Sequence, residues 1–124
     1  SIPFAPPDRT TLHRLGERDL VWRIDHGVPV GLVCATEHLT AGVLEVGSGQ
    51  SAAPHAHGGD EVLFCLDGPL LVRAWDAEGG THVFELGPWD AAYIPAGCRH
   101  EYRNVGTSAA RALLGVAPAY LAPA

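Results

Sequence analysis

The chain has 124 residues and a net charge of −6, with 47% hydrophobic and 18% charged residues. This length fits one domain that buries a sizeable core. The acidic charge and the lack of a basic cluster argue against nucleic-acid binding, the absence of lysine excludes Schiff-base catalysis, and no apolar run is long enough to cross a membrane.

The N-terminal 19 residues are predicted to be an arm, followed by a single domain over residues 20–124. Residues 1–8 contain three prolines and are predicted to be extended. The next stretch, residues 10–20, fits a short helix or a strand, and the sequence does not decide between them. The arm and exposed sheet edges favour a two-fold homodimer, the commonest closed assembly.

From residue 20 onward, short apolar runs alternate with glycine and proline, which is typical of β-strands. No amphipathic helix pattern interrupts them. Turns are predicted at 67–69, 76–80 and 95–97. The spacing predicts an all-β sandwich or barrel, and a jelly roll is one such fold that deals with its edges. The predicted strands are 20–24, 30–35, 42–46, 61–66, 70–75, 82–86, 91–94, 101–104 and 112–116.

Three cysteines, Cys34, Cys65 and Cys98, show no close pairing. An odd number of unpaired cysteines argues against a disulfide framework. We therefore predict small core residues in a reduced, cytoplasmic setting.

Three histidines and one glutamate are spaced as metal ligands. His55 and His57 are two residues apart, so on a strand both point to one face. Glu61 follows after a short turn and returns to that face, and His100 comes from a second segment. Such donors around one point hold a divalent Fe, Mn, Ni, Cu or Zn ion. The sequence therefore predicts one transition-metal site.

These residues also fit two motifs with defined spacing. The first, G-x5-H-x-H-x3-E-x6-G, is matched throughout, and the second, G-x5-P-x-G-x2-H-x3-N, is matched except at its first glycine, where Trp89 stands. On these motifs the chain resembles a single-domain cupin. The matching positions are Gly49, His55, His57, Glu61, Gly68, Pro95, Gly97, His100 and Asn104.

The resemblance implies a fold and a site. The fold is a double-stranded β-helix, or jelly-roll barrel, with the metal inside one open end. The resemblance also implies that His55, His57, Glu61 and His100 are the ligands. The departure at Trp89 bears on the geometry of one turn.

Several residues near the motifs are predicted to contact the substrate or the ligands. Tyr102, Leu63 and Cys65 share the facing of a ligand and are predicted to line the cavity, Tyr102 as a possible acid. Plain core packing is the alternative for Leu63 and Cys65. Arg73 would grip a substrate carboxylate if its strand face points inward, and would be ordinary surface otherwise. The predicted supports of the ligand rings are Gln50, Tyr93, Tyr102 and Asp60.

The ligand set leaves the reaction open. Our first hypothesis is a metal-dependent enzyme acting on a small organic metabolite, with Fe(II) oxygenase chemistry as the first choice. A non-redox isomerase, epimerase, cyclase or lyase using Zn, Mn or Ni is the second. A binding module that holds a small ligand without turnover belongs to a different class.

Overall fold

The computed structural model describes residues 10–118, which form ten antiparallel strands and a 3-10 turn at Glu17–Asp19. Among these residues, none lies in a helix with the length and hydropathy of a membrane span. The strands are β1 (Val21–Asp25), β2 (Val28–Ala35), β3 (Thr40–Val46), β4 (Ser51–His55), β5 (Asp60–Asp67), β6 (Leu70–Trp75), β7 (Thr81–Leu86), β8 (Ala91–Ile94), β9 (His100–Arg103) and β10 (Ala110–Ala117).

The strands form two sheets that face each other. One has six strands in the order β1-β2-β3-β10-β5-β8, and the other has four in the order β4-β9-β6-β7. Alternation along each strand sorts side chains between core and solvent. In β10, for example, Ala112, Leu114 and Val116 are buried, whereas Leu113 is exposed. The predicted all-β jelly roll is confirmed.

The nine predicted strands correspond to nine of the ten observed, with small shifts at the ends. The prediction missed β4, whose sequence is Ser-Ala-Ala-Pro-His. Pro54 has no N–H to donate, so the sequence of this segment does not indicate a strand. A proline is tolerated at the edge of a sheet, however, and β4 is an edge strand. Residues 10–20 contain only the 3-10 turn, and residues 1–9 of the predicted arm lie outside the described residues.

The turn at 87–90 explains the departure from the second motif. Asp90 N donates to Gly87 O at 3.0 Å, and Trp89 has a φ of +73°. Proline followed by a residue with positive φ is the pattern of a type II turn, in which the third position favours glycine. Gly97, at the same position of the turn 95–98, has a φ of +75°. The turn is therefore kept, with tryptophan in a glycine conformation.

Replacing Trp89 with glycine is expected to give a protein about 1 kcal/mol more stable than replacing it with alanine. Both variants lose the edge-to-face contact with Phe64, at 5.5 Å between ring centroids. They differ in whether a Cβ atom must occupy the left-handed region, a cost that exceeds the extra entropy that glycine loses on folding. Urea unfolding of the two variants measures the difference. Equal stabilities would contradict the strain inferred from the positive φ.

Candidate metal centre

Four predicted ligands meet between the two sheets. The candidate donor atoms of His55, His57 and His100 all lie within 4.8 Å of one another. The Glu61 Oε1 atom is 3.2 Å from His57 Nε2 and 3.5 Å from His100 Nε2. His57, Glu61 and His100 are buried, with 5%, 2% and 1% of their surfaces exposed. The structure therefore brings the whole predicted quartet together.

Three strands and one loop position the quartet. His55 ends β4 and pairs with His100 at the start of β9, while Glu61 is the second residue of β5. Because β4 ends at His55, strand alternation does not explain the common facing predicted for His55 and His57, although both rings reach the same point. His57 lies in the following connection, where its carbonyl accepts a hydrogen bond from Gly97 N at 2.8 Å. A contact between the two motifs thus holds this histidine.

Backbone carbonyls orient two of the imidazole rings. His55 Nδ1 donates to the carbonyl oxygen of Ala53 at 2.7 Å, and His100 Nδ1 donates to that of Cys98 at 2.8 Å. A carbonyl oxygen only accepts, so Nδ1 carries the proton in both rings. In the neutral form of each ring, Nε2 then carries the lone pair that binds a metal.

We predicted that side chains would hold the second ring nitrogens of His55 and His100. Backbone carbonyls do so instead, so this prediction is wrong for these two rings. Gln50 Oε1 instead accepts from Gly47 N at 3.0 Å, and Asp60 Oδ1 accepts from Ala96 N at 2.9 Å. In both rings the carbonyl lies two residues before the histidine, so the extended backbone itself supplies the support.

The charge state of the quartet suits a cation. Burial lowers the pKa of His55 to about 4, aided by the neighbouring His100, so this ring is neutral at pH 7. Burial raises the pKa of the Glu61 carboxyl, but polar contacts with His100, His57 and Tyr102 outweigh it and bring the pKa to about 2. The site therefore holds a buried carboxylate among imidazoles.

Two buried polar atoms of the quartet have no hydrogen-bond partner, namely Glu61 Oε1 and His100 Nε2. A buried carboxylate oxygen without a hydrogen bond is costly, and the imidazole nitrogens 3.2 and 3.5 Å from Glu61 Oε1 repay its desolvation only in part. A divalent cation would satisfy both atoms, and imidazole and carboxylate are donors for Zn, Fe, Mn and Ni. The residues present therefore fit a metal ion.

Tyr102 is the predicted cavity residue that contacts the quartet. Its hydroxyl is buried and donates to Glu61 Oε2 at 2.6 Å. The ring lines a cavity of about 10 Å³, room for one water-sized molecule. Tyr102 thus fixes the carboxylate oxygen that does not face the histidines.

The other predicted cavity residues lie outside this cavity. Leu63 and Cys65 are fully buried in the core, so the alternative of plain core packing holds for both. Gln50 is in the turn before β4. Tyr93 is exposed and lines a separate cleft of about 560 Å³. Arg73 points outward and pairs with Glu101 at 3.3 Å, so it is a surface residue, which was the alternative to gripping a substrate.

The sequence analysis missed two polar residues at the cavity. Asp25 and His26, at the hairpin between β1 and β2, line it together with His55, His57 and Glu61. The His26 ring is stacked on His55, with centroids 4.0 Å apart and planes within 5°. The following Gly27 marks a hairpin in the sequence, but no local pattern shows where that hairpin lies in the fold.

These features define a class of protein: a jelly roll of two antiparallel sheets with a candidate metal centre between them. The chain belongs to the cupin domain family, whose sequence profile matches residues 42–116. The resemblance inferred from the two motifs is therefore confirmed.

Known proteins agree with this assignment. A germin-like protein (subfamily 1 member 1) of Arabidopsis thaliana is 37% identical over 83 residues, and the match covers 65% of this chain and 38% of that protein. The chain thus spans well under half of that relative.

Two solved structures share the fold. A variant of oxalate decarboxylase from Bacillus subtilis has a TM-score of 0.74 at 21% identity, and the match covers 89% of this chain and 31% of that one. The TT1209 protein from Thermus thermophilus has a TM-score of 0.62 at 27% identity, covering 90% of this chain and 95% of that one.

Proposed function

We propose that this chain is a metal-dependent enzyme that oxidises a small organic metabolite with dioxygen, using Fe(II) held by His55, His57, Glu61 and His100. The buried quartet with its two unpartnered donor atoms is the observation that supports the proposal. Two histidines and a carboxylate are typical ligands of non-haem iron oxygenases, and a third histidine adds a neutral donor. A bound ion of this kind supplies Lewis acidity or redox chemistry.

The chain's own residues have separate tasks in this proposal. The Ala53 and Cys98 carbonyls keep the protons of His55 and His100 on Nδ1. The Tyr102 hydroxyl orients Glu61 and holds a proton at the cavity wall. The buried apolar residues around the cavity exclude bulk water, which strengthens electrostatic interactions inside.

A non-redox isomerase, epimerase, cyclase or lyase using Zn, Mn or Ni is the second candidate. The observation that favours it is the Tyr102 hydroxyl, placed beside an ionised carboxylate and within reach of the cavity. Such a hydroxyl is suited to proton transfer, which these reactions require.

Metal analysis followed by oxygen uptake tests the first candidate. The purified protein, loaded with Fe(II), is supplied with phenols, thiols, diketones and small carboxylates such as oxalate. We expect oxygen consumption with at least one substrate class and none with the Zn-loaded protein. Substrate turnover without oxygen uptake would favour the second candidate. Bound metal without any turnover would favour the small-ligand-binding module. The predicted homodimer and cytoplasmic location stay predictions.

Replacing Tyr102 with phenylalanine is expected to weaken metal binding about 10–100-fold, because Glu61 loses the donor that orients it. The phenylalanine variant keeps the aromatic ring that packs in the cavity wall. Isothermal titration calorimetry with the metal ion measures the change in affinity. Tyr93→Phe is the matched control, since Tyr93 is 63% exposed and lies outside the cavity. Wild-type affinity in Tyr102→Phe would show that the hydroxyl does not support the site.

A further inference from the structure

A hairpin tip lies against the candidate metal centre beside His55. Strands β1 and β2 are joined by His26 and Gly27, and both have positive φ, at 52° and 91°. Two such residues form the tight two-residue turn typical of hairpins. The His26 carbonyl accepts a hydrogen bond from Ala53 N at 2.8 Å, which docks the tip on β4 beside His55.

The His26 side chain completes this docking. Its ring stacks on the ring of His55 at 4.0 Å, and its Nε2 lies 3.4 Å from Asp25 Oδ1. A histidine with positive φ is uncommon, and such strained residues concentrate at functional sites. The ring is thus held over one proposed ligand by a neighbouring carboxylate.

The cavity reaches solvent beside this hairpin tip. Eight of its eleven lining residues are buried, and the remaining three are Asp25, His26 and His55. The His26 side chain is 38% exposed and Asp25 14% exposed, so they form the outer rim. The cavity behind this rim measures about 10 Å³, so ligands of more than a few atoms do not fit while the tip is in place.

We propose that His26 is a gate residue that sets the size of the ligands reaching the metal. This inference rests on the proposed function, because it assumes an ion at the quartet. The stacked imidazole admits water and ligands of a few atoms, and Asp25 holds it in place. Larger substrates enter only when the ring leaves the face of His55.

A series of carboxylates on the Co²⁺-loaded protein tests the gate. Formate, acetate and benzoate share one donor group and differ in bulk, and the visible spectrum of Co²⁺ reports their binding without any turnover. We expect wild-type protein to bind formate at least tenfold more tightly than benzoate. In His26→Asn this ratio should fall at least tenfold, since asparagine tolerates positive φ but leaves the mouth open. In His26→Phe, which keeps a ring over His55 but loses the contact with Asp25, the ratio should fall less than in His26→Asn.

The outcomes separate the two proposals. Failure of the wild-type protein to bind Co²⁺ would overturn the proposed metal site together with the gate. Binding of Co²⁺ with the same formate-to-benzoate ratio in all three proteins would overturn the gate alone. Equal loss of selectivity in His26→Asn and His26→Phe, or no spectral response to formate, would also overturn it. Circular dichroism confirms that each variant is folded.

Discussion

Replacing His100 with alanine is expected to abolish stoichiometric metal binding. His100 is 1% exposed, and its Nε2 faces Glu61 Oε1 while Nδ1 is already held by the Cys98 carbonyl. Replacing residues that merely support a ligand costs about 10–100-fold in metal affinity, so the loss of a direct donor should exceed that range. Elemental analysis after desalting should find only a small fraction of the wild-type metal content.

The matched control for this variant is His82→Ala. His82 is also a strand histidine, but it is half exposed and pairs with Asp76 at 2.9 Å, away from the quartet. We expect His82→Ala to retain the wild-type metal content. Equal metal content in His100→Ala and the wild-type protein would refute the proposed ligand set.

Removing the metal with a chelator is expected to lower the melting temperature by about 10 °C, because the folded state loses the free energy of metal binding. A ligand present at about 100 times its dissociation constant adds about 2.7 kcal/mol to the folded state. Each kcal/mol is worth about 4 °C in a domain of this size. The metal-free protein also keeps Glu61 Oε1 and His100 Nε2 buried without partners. Differential scanning calorimetry before and after dialysis against EDTA measures the shift.

The same chelator treatment of His100→Ala serves as the control. A protein that holds no ion has none to lose, so its melting temperature should not change. An equal shift in both proteins would mean that EDTA acts elsewhere, and the stabilisation could not be assigned to the quartet.

The fold was predictable because its signals are local. Alternation of apolar and polar side chains places nine strands, and glycine or aspartate marks turns such as 76–80, where Asp76 Oδ1 accepts from Gly80 N at 2.7 Å. The strand β4 escaped because Pro54 and two alanines hide its pattern. Its pairing with β9 comes from a contact between distant parts of the chain.

The candidate site was predictable in its donors but not in its surroundings. The spacing of His55, His57, Glu61 and His100 along the chain was enough to group them as one candidate site. Tyr102 was predicted to line the cavity, and in the structure its hydroxyl donates to Glu61. Leu63 and Cys65 share the facing of Glu61, but they lie deeper along the strand, in the core.

Residue types and their spacing were enough to predict the all-β class, the cupin motifs and the four candidate donors. That backbone carbonyls orient two rings and that His26 stacks on His55 became visible only in the folded chain. Hydrogen bonds and ring contacts between distant segments depend on how the sheets pack, and local patterns carry no information about that packing.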